Sequence, residues 1–439
     1  MGKSLYIAEK PSVAQEFAKA LHINTKRKDG YLESEETIVT WCVGHLVTMS
    51  YPEEYDPALE DLTIYHLLTM QAGSKECCNN VWFSKLTKDW ETNWLKQPKI
   101  REDIGKAFHY DSGCSYTLSR IVTKVMGKNC LALMQERVFD KMGFGEINWL
   151  TSPEGHNTGG WGMYLTAGKI SALAQLLLQK GEWNGEQLIP AWWTEEIGKM
   201  RVVIPEDEKK ALTHYAYHIK AGKEIFAAEG AFGQYLICFR DYPVAIGITA
   251  GASEYLAADI CLKYIKEAVQ IPCEKENLEE AQEKLEEKLV HLTLPKPEGD
   301  KKDTNEATKK LLNKRIVFTE NPRQIESAVI STVGEELKLE LTVAGEKKIL
   351  FAGYKDWKCN DMYPNDFTKR YHAVSYAFDE DALYLSVGLL NTSYREEYCL
   401  WVNSENVVVG TWRPNVTYLP AEEDMTWKFT GTFEPSCIL

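Results

Sequence analysis

The sequence has no run of about twenty apolar residues, so it predicts no membrane-spanning helix. Its start, Met1 to Lys10, lacks the apolar stretch and the small-residue cleavage site of a secretory signal, and we expect a cytoplasmic product. Positive charge is also scarce, since 50 Lys and Arg stand against 64 Asp and Glu, for a net charge of -14. A large nucleic-acid surface would need a basic face, so we do not expect nucleic acid as a partner.

Paired cysteine spacing is missing as well. The eleven cysteines are scattered, and the adjacent pair Cys77-Cys78 does not have the Cys-x-x-Cys spacing of a metal site. Free cysteine behaves as a small hydrophobe, so we expect reduced, mostly buried thiols and no metal cofactor.

The amino-acid composition is typical of a protein with folded domains. The 439 residues are 44% hydrophobic and 11% aromatic, which excludes global disorder. A chain of this length is expected to form about two to four structural units rather than one core.

An aromatic and polar turn at residues 108–112 leads directly into a helix pattern that continues through Val122. Tyr110 and Ser112 lie two residues apart ahead of that helix, where a rigid element can aim both polar groups into a cleft. The pattern resembles the Tyr-x-Asn or Tyr-x-Ser element of the penicillin-recognising serine hydrolases. This group contains class C β-lactamases, penicillin-binding proteins and related esterases and amide hydrolases. The resemblance implies a general-base position at Tyr110 and Ser112.

Two other segments are similar to the same family. Residues 62–73 resemble its Ile-Thr-Ile-Arg-His-Leu-Leu-Thr-His-Thr-Ser-Gly segment, and residues 159–190 follow its glycine-rich turn and helix. Thr63 and Thr166 are placed as helix caps. His66 has a catalytic interpretation, but a histidine beside two leucines in a helix also fits a structural role.

A further resemblance concerns the strand pattern at residues 227–239, which alternates and is followed by a second strand pattern at 244–249. It resembles the family strand that edges the active site and supplies a backbone N–H to the oxyanion hole. The resemblance therefore implies a cleft edge at Glu229, Gly230, Ala231 and Gly233. The Lys-Thr-Gly spelling is absent, and the glycines fit close strand packing equally well.

The family nucleophile is missing. A serine hydroxyl needs a neighbouring base, which the family provides as Ser-x-x-Lys at the start of a helix. No serine of this sequence has a lysine three residues later. Ser12 stands at a predicted helix start, but Gln15 follows it and cannot accept the proton.

The first 57 residues resemble the opening of the Toprim domain of a bacterial type IA DNA topoisomerase, through residues 7–12, 40–46 and 51–57. Residues 4–8 and 37–43 are predicted strands, and Val13 to Leu21 a helix. The resemblance implies a magnesium ligand at Glu9, which in the family works with a later Asp-x-Asp pair. Residues 379–381 match the Asp-x-Asp motif but lie in a hairpin-like context far downstream, so we interpret the match as coincidence. A single carboxylate is a poor magnesium site, so a solvated loop residue is the alternative for Glu9.

Residues 274–290 form a charged helix pattern, and residues 296–310 a linker rich in Pro, Gly, Lys and Asp. Short alternating segments follow, which predict an antiparallel sandwich or small barrel. Trp401, Trp412 and Trp427 are interpreted as core aromatics, with a ligand platform as the alternative.

Together these features predict an α+β chain with a truncated β-lactamase-like body of helices and antiparallel sheet. A partial α/β Toprim-like fragment precedes this body, and an all-β sandwich or barrel follows it. The predicted segments are residues 1–57, 58–272, 273–318 and 319–439. The junction at residues 56–60 has no linker composition, which favours a gene deletion or an assembly artefact over an evolved fusion.

The resemblances imply a serine hydrolase homologue that is inactive as encoded and that faces a small ester, amide or peptide-like ligand, although intact relatives are often exported. The alternatives are a non-catalytic module that binds such a ligand in the remnant cleft, and DNA or magnesium binding through the Toprim-like start. The oligomeric state is left open.

The acidic charge and the lone carboxylate predict that this chain does not bind single-stranded DNA in a magnesium-dependent way. Retention on single-stranded DNA cellulose, with and without magnesium, measures this. Magnesium-dependent retention that is lost in Glu9→Ala and kept in Glu36→Ala would instead establish the Toprim-like start as a working site.

Overall fold

The computed structural model of the protein describes residues 4–8, 11–20, 23–28, 31–41, 57–205, 210–253, 257–271, 278–299, 309–363, 370–379, 381–417 and 425–434. Two compact units contain residues 1–163 and 164–439. Among the helices in the described ranges, none has the length and apolar character needed to cross a membrane.

The first unit begins with a small α/β layer. Its elements are β1 (Ser4–Ala8), α1 (Pro11–Ala20), β2 (Lys26–Lys28), β3 (Tyr31–Glu33) and β4 (Thr37–Trp41). The sheet order is β1-β4-β3-β2, and β1 pairs with β4 in parallel. The predicted order of strand, helix and strand is therefore confirmed. Ala14, Ala18, Leu32 and Val39 form the small core of this layer.

The rest of the first unit is helical. Its helices are α2 (Ile64–Leu68), α3 (Asn80–Ser84), α4 (Trp90–Leu95), α5 (Ser112–Met126) and α6 (Cys130–Met134). The chain also makes short 3₁₀ turns at Pro57–Asp61 and Arg101–Asp103, and α6 continues as a π-helical turn, Gln135–Phe139. Short strands β5 (Asn148–Trp149) and β6 (Met163–Tyr164) follow.

The second unit opens with a helix packed on an antiparallel sheet. The elements before the sheet are α7 (Ala167–Leu178), the strand pair β7 (Glu182–Trp183) and β8 (Glu186–Gln187), and α8 (Ala191–Ile197). The sheet begins with β9 (Val202–Val203), β10 (His214–Tyr215) and β11 (Lys220–Ala221). The sheet continues with β12 (Ile225–Gly230), β13 (Gln234–Phe239) and β14 (Ala245–Ile248), in the order β14-β13-β12-β11-β10-β9. The Thr166 side chain caps α7, as predicted, by accepting from the Lys169 N–H at 3.3 Å.

The segment 227–239, predicted as one strand, is two. The chain turns at residues 231–233, and β12 and β13 pair as an antiparallel hairpin with Gly230 opposite Gln234. The turn contains Phe232 in a left-handed conformation, φ 63°. Gly230 and Gly233 are compatible with a turn, but an aromatic residue rarely adopts this conformation, so Phe232 itself gives no turn signal.

Two helices connect the sheet to the C-terminal region. They are α9 (Ala257–Ala268), which packs on the hairpin sheet through Ala258, and α10 (Leu278–Val290). The charged helix predicted at residues 274–290 is confirmed over Leu278–Val290, residues 274–277 lie outside the described residues, and each residue of α10 is exposed.

The C-terminal region is a barrel rather than a sandwich. Its strands are β15 (Arg315–Phe318), β16 (Ile325–Val333), β17 (Glu336–Val343), β18 (Glu346–Tyr354), β19 (Lys358–Tyr363), β20 (Arg370–Asp379), β21 (Ala382–Leu389), β22 (Arg395–Val402), β23 (Val408–Pro414) and β24 (Trp427–Phe433). β15 pairs with both β16 and β24, and β18 pairs with β20, so the sheet curls back on itself. Trp412 is buried in this core, with its ring 4.7 Å from that of Trp427. This position favours the interpretation of both residues as core aromatics.

Candidate functional site

The geometry around Tyr110 and Ser112 depends on the buried carboxylate between them. Asp111 is fully buried and caps α5, with its Oδ1 accepting from the Gly113 N–H at 2.8 Å and from the Cys78 N–H at 3.2 Å. Its Oδ2 accepts from Trp94 Nε1 at 2.7 Å and from the Ser74 hydroxyl. A buried carboxylate needs such donors, because desolvation of a charge is costly unless it is paired or hydrogen-bonded.

A lysine extends this network. Lys99 is buried, donates to Ser74 Oγ at 3.1 Å and lies over the Trp94 ring with its Nζ 4.1 Å from the ring centroid. The indole also explains Gly113, since a Cβ at that position would lie 1.9 Å from Trp94 Nε1. Only glycine allows the start of α5 to approach the indole this closely.

The two predicted polar groups have different surroundings. Tyr110 is 45% exposed, whereas Ser112, the first residue of α5, is only 5% exposed. A Cβ placed on Gly160 would lie 3.4 Å from Ser112 Cβ, so the glycine-rich loop covers the serine. The turn therefore presents the tyrosine and covers the serine.

The tryptophan-rich segment forms part of the core. Trp90 stacks on Trp161 with ring centroids 5.9 Å apart, and Phe83 contacts both rings. Tyr116 packs 5.6 Å from Phe83 and donates to Ser152 Oγ at 3.0 Å. Burial raises the pKa of Tyr116, so its phenol stays protonated and hydrogen-bonded in this cluster.

His66 has a structural role. Thr63 caps α2, as predicted, by accepting from the His66 N–H at 3.3 Å, and the Thr63 N–H donates back to His66 Nδ1 at 3.3 Å. Partial burial lowers the pKa of His66, opposed by Asp61, and the neutral ring that results can accept this hydrogen bond. The reciprocal pair matches a capping box.

The predicted cleft edge belongs to the second unit. Glu229 lies near the end of β12, where Lys220 Nζ is 2.5 Å from its Oε2 and the Tyr235 hydroxyl donates to its Oε1 at 2.7 Å. The carboxylate is thus held within the sheet.

Gly230, Ala231 and Gly233 form the end of β12 and the turn that follows it. Gly233 adopts φ 88°, a conformation that favours glycine. Its N–H donates to the Gly230 carbonyl at 3.3 Å, which closes the turn. The structure therefore places these three residues together, in a unit separate from the one that contains Tyr110 and Ser112.

The expectation of mostly buried thiols is wrong for the described parts of the chain, where three of eight free cysteines are buried and Cys77 and Cys359 are exposed. The thiols of Cys78, Cys114 and Cys238 are buried, and burial raises the pKa of Cys78 and of Cys238 to about 12. Within these parts, no three His, Cys, Asp or Glu side chains are grouped to hold a metal ion. Glu9, the predicted magnesium ligand, lies outside the described residues.

The sequence model of the Beta-lactamase family matches residues 46–268, which are just over half of the 439-residue chain. The chain belongs to the β-lactamase family. Serine hydrolases of this family need no cofactor.

The N-terminal part has different relatives. DNA topoisomerase 3 from Staphylococcus aureus strain USA300 is 58% identical over 111 residues, which are 24% of this chain and 15% of that protein. The chain thus spans about 15% of the length of this curated relative. This similarity fits the Toprim-like segment.

Solved structures similar to this β-lactamase-family chain share little sequence with it. The octameric penicillin-binding protein homologue from Pyrococcus abyssi has a TM-score of 0.38 at 11% identity, covering 86% of this chain and 82% of its own. The D-amino acid amidase from Ochrobactrum anthropi SV3 has a TM-score of 0.37 at 10% identity, covering 48% and 79%.

The sequence patterns did not identify the residues that hold the helices of the first unit together, nor Gln234, which contacts the turn at residues 231–233. Asp111 had a usable signal, because aspartate immediately before a helix pattern is a preferred N-cap. Lys99, Ser74 and Gln234 had none, since their partners are distant in sequence or depend on the turn at residues 231–233.

We predict that Asp111→Asn lowers the free energy of unfolding by about 2 to 5 kcal/mol, because the amide group would face donors that now bond a carboxylate. Urea unfolding measures this. Asp61→Asn is the matched control, since the Asp61 pair with Arg101 is about half exposed and is expected to contribute only about 0 to 1 kcal/mol. Equal loss in both variants would contradict a stabilising role for the buried network.

Proposed function

We propose that this β-lactamase-family chain is a serine hydrolase homologue that does not form an acyl-enzyme. The observation that carries the proposal is the absence of any serine followed three residues later by a lysine. Without an adjacent base a serine hydroxyl remains a weak nucleophile. Residues that act as a unit lose nearly all their catalytic effect when one is removed, so Tyr110 alone does not restore hydrolysis.

The surroundings of Ser112 support the proposal. Its neighbours along α5 are buried, and at 5% exposure the hydroxyl has little access to a substrate carbonyl. Ser112 is therefore not proposed as a substitute nucleophile. Its position at the start of α5 fits a family residue that is kept for packing.

In this proposal the chain joins segments of different origin. Residues 1–57 are a partial Toprim-like fragment, 58–272 the hydrolase body, 273–318 a charged helix and linker, and 319–439 the β domain. The family match begins at residue 46 and ends at residue 268, which fits the body without defining its ends. The Toprim-like fragment contributes no activity in this proposal.

A second candidate function is non-catalytic binding of a small ester, amide or peptide-like ligand. The observation that favours it is the exposure of Tyr110, at 45%, on a turn held by the buried Asp111 network. A polar aromatic group whose backbone is fixed in advance loses little freedom when it binds a ligand.

Fluorescent penicillin and a fluorophosphonate probe test the absence of an acyl-enzyme. We expect no stoichiometric label on the native protein after denaturing electrophoresis, because no base activates a serine. Stoichiometric label that disappears in Ser12→Ala or Ser112→Ala, and is kept in the exposed control Ser253→Ala, would show that the proposal is wrong.

Isothermal titration with benzylpenicillin and with an N-acyl-D-alanyl-D-alanine peptide tests the binding function. We expect saturable binding without covalent label, and a loss of about tenfold in affinity, ~1.4 kcal/mol, in Tyr110→Ala. Tyr371→Ala, which removes a similarly exposed tyrosine of the barrel, is the control. Absence of saturable heat with both ligands, or an equal loss in both variants, would reject Tyr110 as a binding group for these ligands.

A further inference from the structure

The turn between β12 and β13 has a conformation that its own residues do not favour. Phe232 adopts φ 63° although it carries a Cβ, and Gly233 follows at φ 88°. Non-glycine residues rarely occupy this region, and they remain there when surrounding contacts determine the backbone. Surrounding contacts therefore hold the Phe232 backbone in this conformation.

Some of these contacts come from the turn's own strand pair and the segment after β14. The side-chain Nε2 of Gln234 donates to the Ala250 carbonyl at 2.6 Å and lies 3.3 Å from the Phe232 carbonyl. The Ala252 N–H donates to the same Phe232 carbonyl at 3.1 Å. Gln234 thus links the turn to the segment at residues 250–252.

Other contacts come from the barrel. Gln234 Nε2 lies 2.9 Å from Ser393 Oγ, and the Phe232 ring meets the Tyr394 ring edge-on with centroids 5.7 Å apart. Ser393 and Tyr394 lie in the loop between β21 and β22. A short loop of the barrel therefore contacts the side chain of Phe232 and also contacts Gln234, the residue hydrogen-bonded to the Phe232 carbonyl.

Asn415, which follows β23, stabilises this loop through side-chain hydrogen bonds. Its Nδ2 donates to the Gly251 carbonyl and to the Ser393 carbonyl, both at 2.9 Å, and its Oδ1 accepts from the Arg395 N–H at 2.7 Å. A Cβ on Gly251 would lie 2.2 Å from the Ser393 carbonyl oxygen and 2.3 Å from Asn415 Nδ2. The barrel backbone thus lies directly against residue 251, with space only for glycine.

We propose that the C-terminal barrel is a positioning element for the turn Ala231–Gly233, acting through Ser393, Tyr394 and Asn415. The barrel loop holds Gln234 and Phe232, and these two residues hold the turn in its left-handed form. The inference goes beyond the proposed function, and a ligand-facing edge at this turn is implied only by the family resemblance of the strand pattern at residues 227–239. The contact between barrel and turn does not depend on it.

Gly251→Ala tests the coupling, because the added methyl group separates the barrel loop from residue 251 without changing the turn itself. We expect hydrogen exchange of the Gly233, Ala250 and Ala252 amides to become at least about tenfold faster, while the amides of β21 keep their protection. Gly168→Ala is the matched control, since a Cβ there meets no atom closer than 4.0 Å.

Ser393→Ala is a second, milder variant that removes only the hydroxyl bonded to Gln234, in case the methyl group of Gly251→Ala prevents folding. It should accelerate exchange of the same three amides to a smaller degree. Unchanged exchange at these amides in the folded variants would overturn the proposal.

Ligand titration of Gly251→Ala separates this inference from the proposed function. Faster exchange together with weaker penicillin binding supports both. Faster exchange in a protein whose wild type binds neither penicillin nor the D-alanyl peptide supports the positioning role of the barrel and rejects the ligand-facing assignment of the turn.

Discussion

The helical part of the first unit depends on one buried carboxylate. Asp111 gathers donors from the backbone of Gly113 and Cys78 and from the side chains of Trp94 and Ser74. These donors come from α4, α5 and the loop before α3, so satisfying the charge also fixes the relative positions of these segments. Removal of any partner would leave a buried polar group unpaired, a cost that acts on folding whether or not the protein catalyses a reaction.

This constraint explains how a catalytic-looking motif persists without its nucleophile. Tyr110 and Ser112 flank Asp111, so any change that disturbs their backbone also disturbs the cap of α5 and the Trp94 contact. Glu229 has a comparable second role, because it pairs with Lys220 and Tyr235 inside the sheet. Residues of an active-site pattern can therefore be retained for stability alone.

The extent of agreement between sequence and structure follows from the range of the interactions. Thr63 and Thr166 cap helices through contacts three residues away, and the strands of the barrel follow local alternation, so both were predictable. The choice between sandwich and barrel was not, because the pairing of β18 with β20 depends on how the strands curve. The split of segment 227–239 and the burial of Lys99 were also missed. Both depend on contacts between residues that are distant in sequence. The Gly160 loop that packs against Ser112 is distant in sequence, so the burial of Ser112 was likewise not predictable from local pattern.

Ser74 and Lys99 show why a short distance between serine and lysine is insufficient for acyl transfer. Their Oγ and Nζ atoms are 3.1 Å apart, which is within reach of proton transfer. The Ser74 hydroxyl, however, donates to Asp111, while Lys99 donates to Ser74, so the hydrogen bonds run from the lysine through the serine to the carboxylate. The serine proton points away from the lysine, and Ser74 and Lys99 are only 3% and 7% exposed. Under the proposed function this pair therefore stabilises the buried charge and does not replace the missing Ser-x-x-Lys nucleophile.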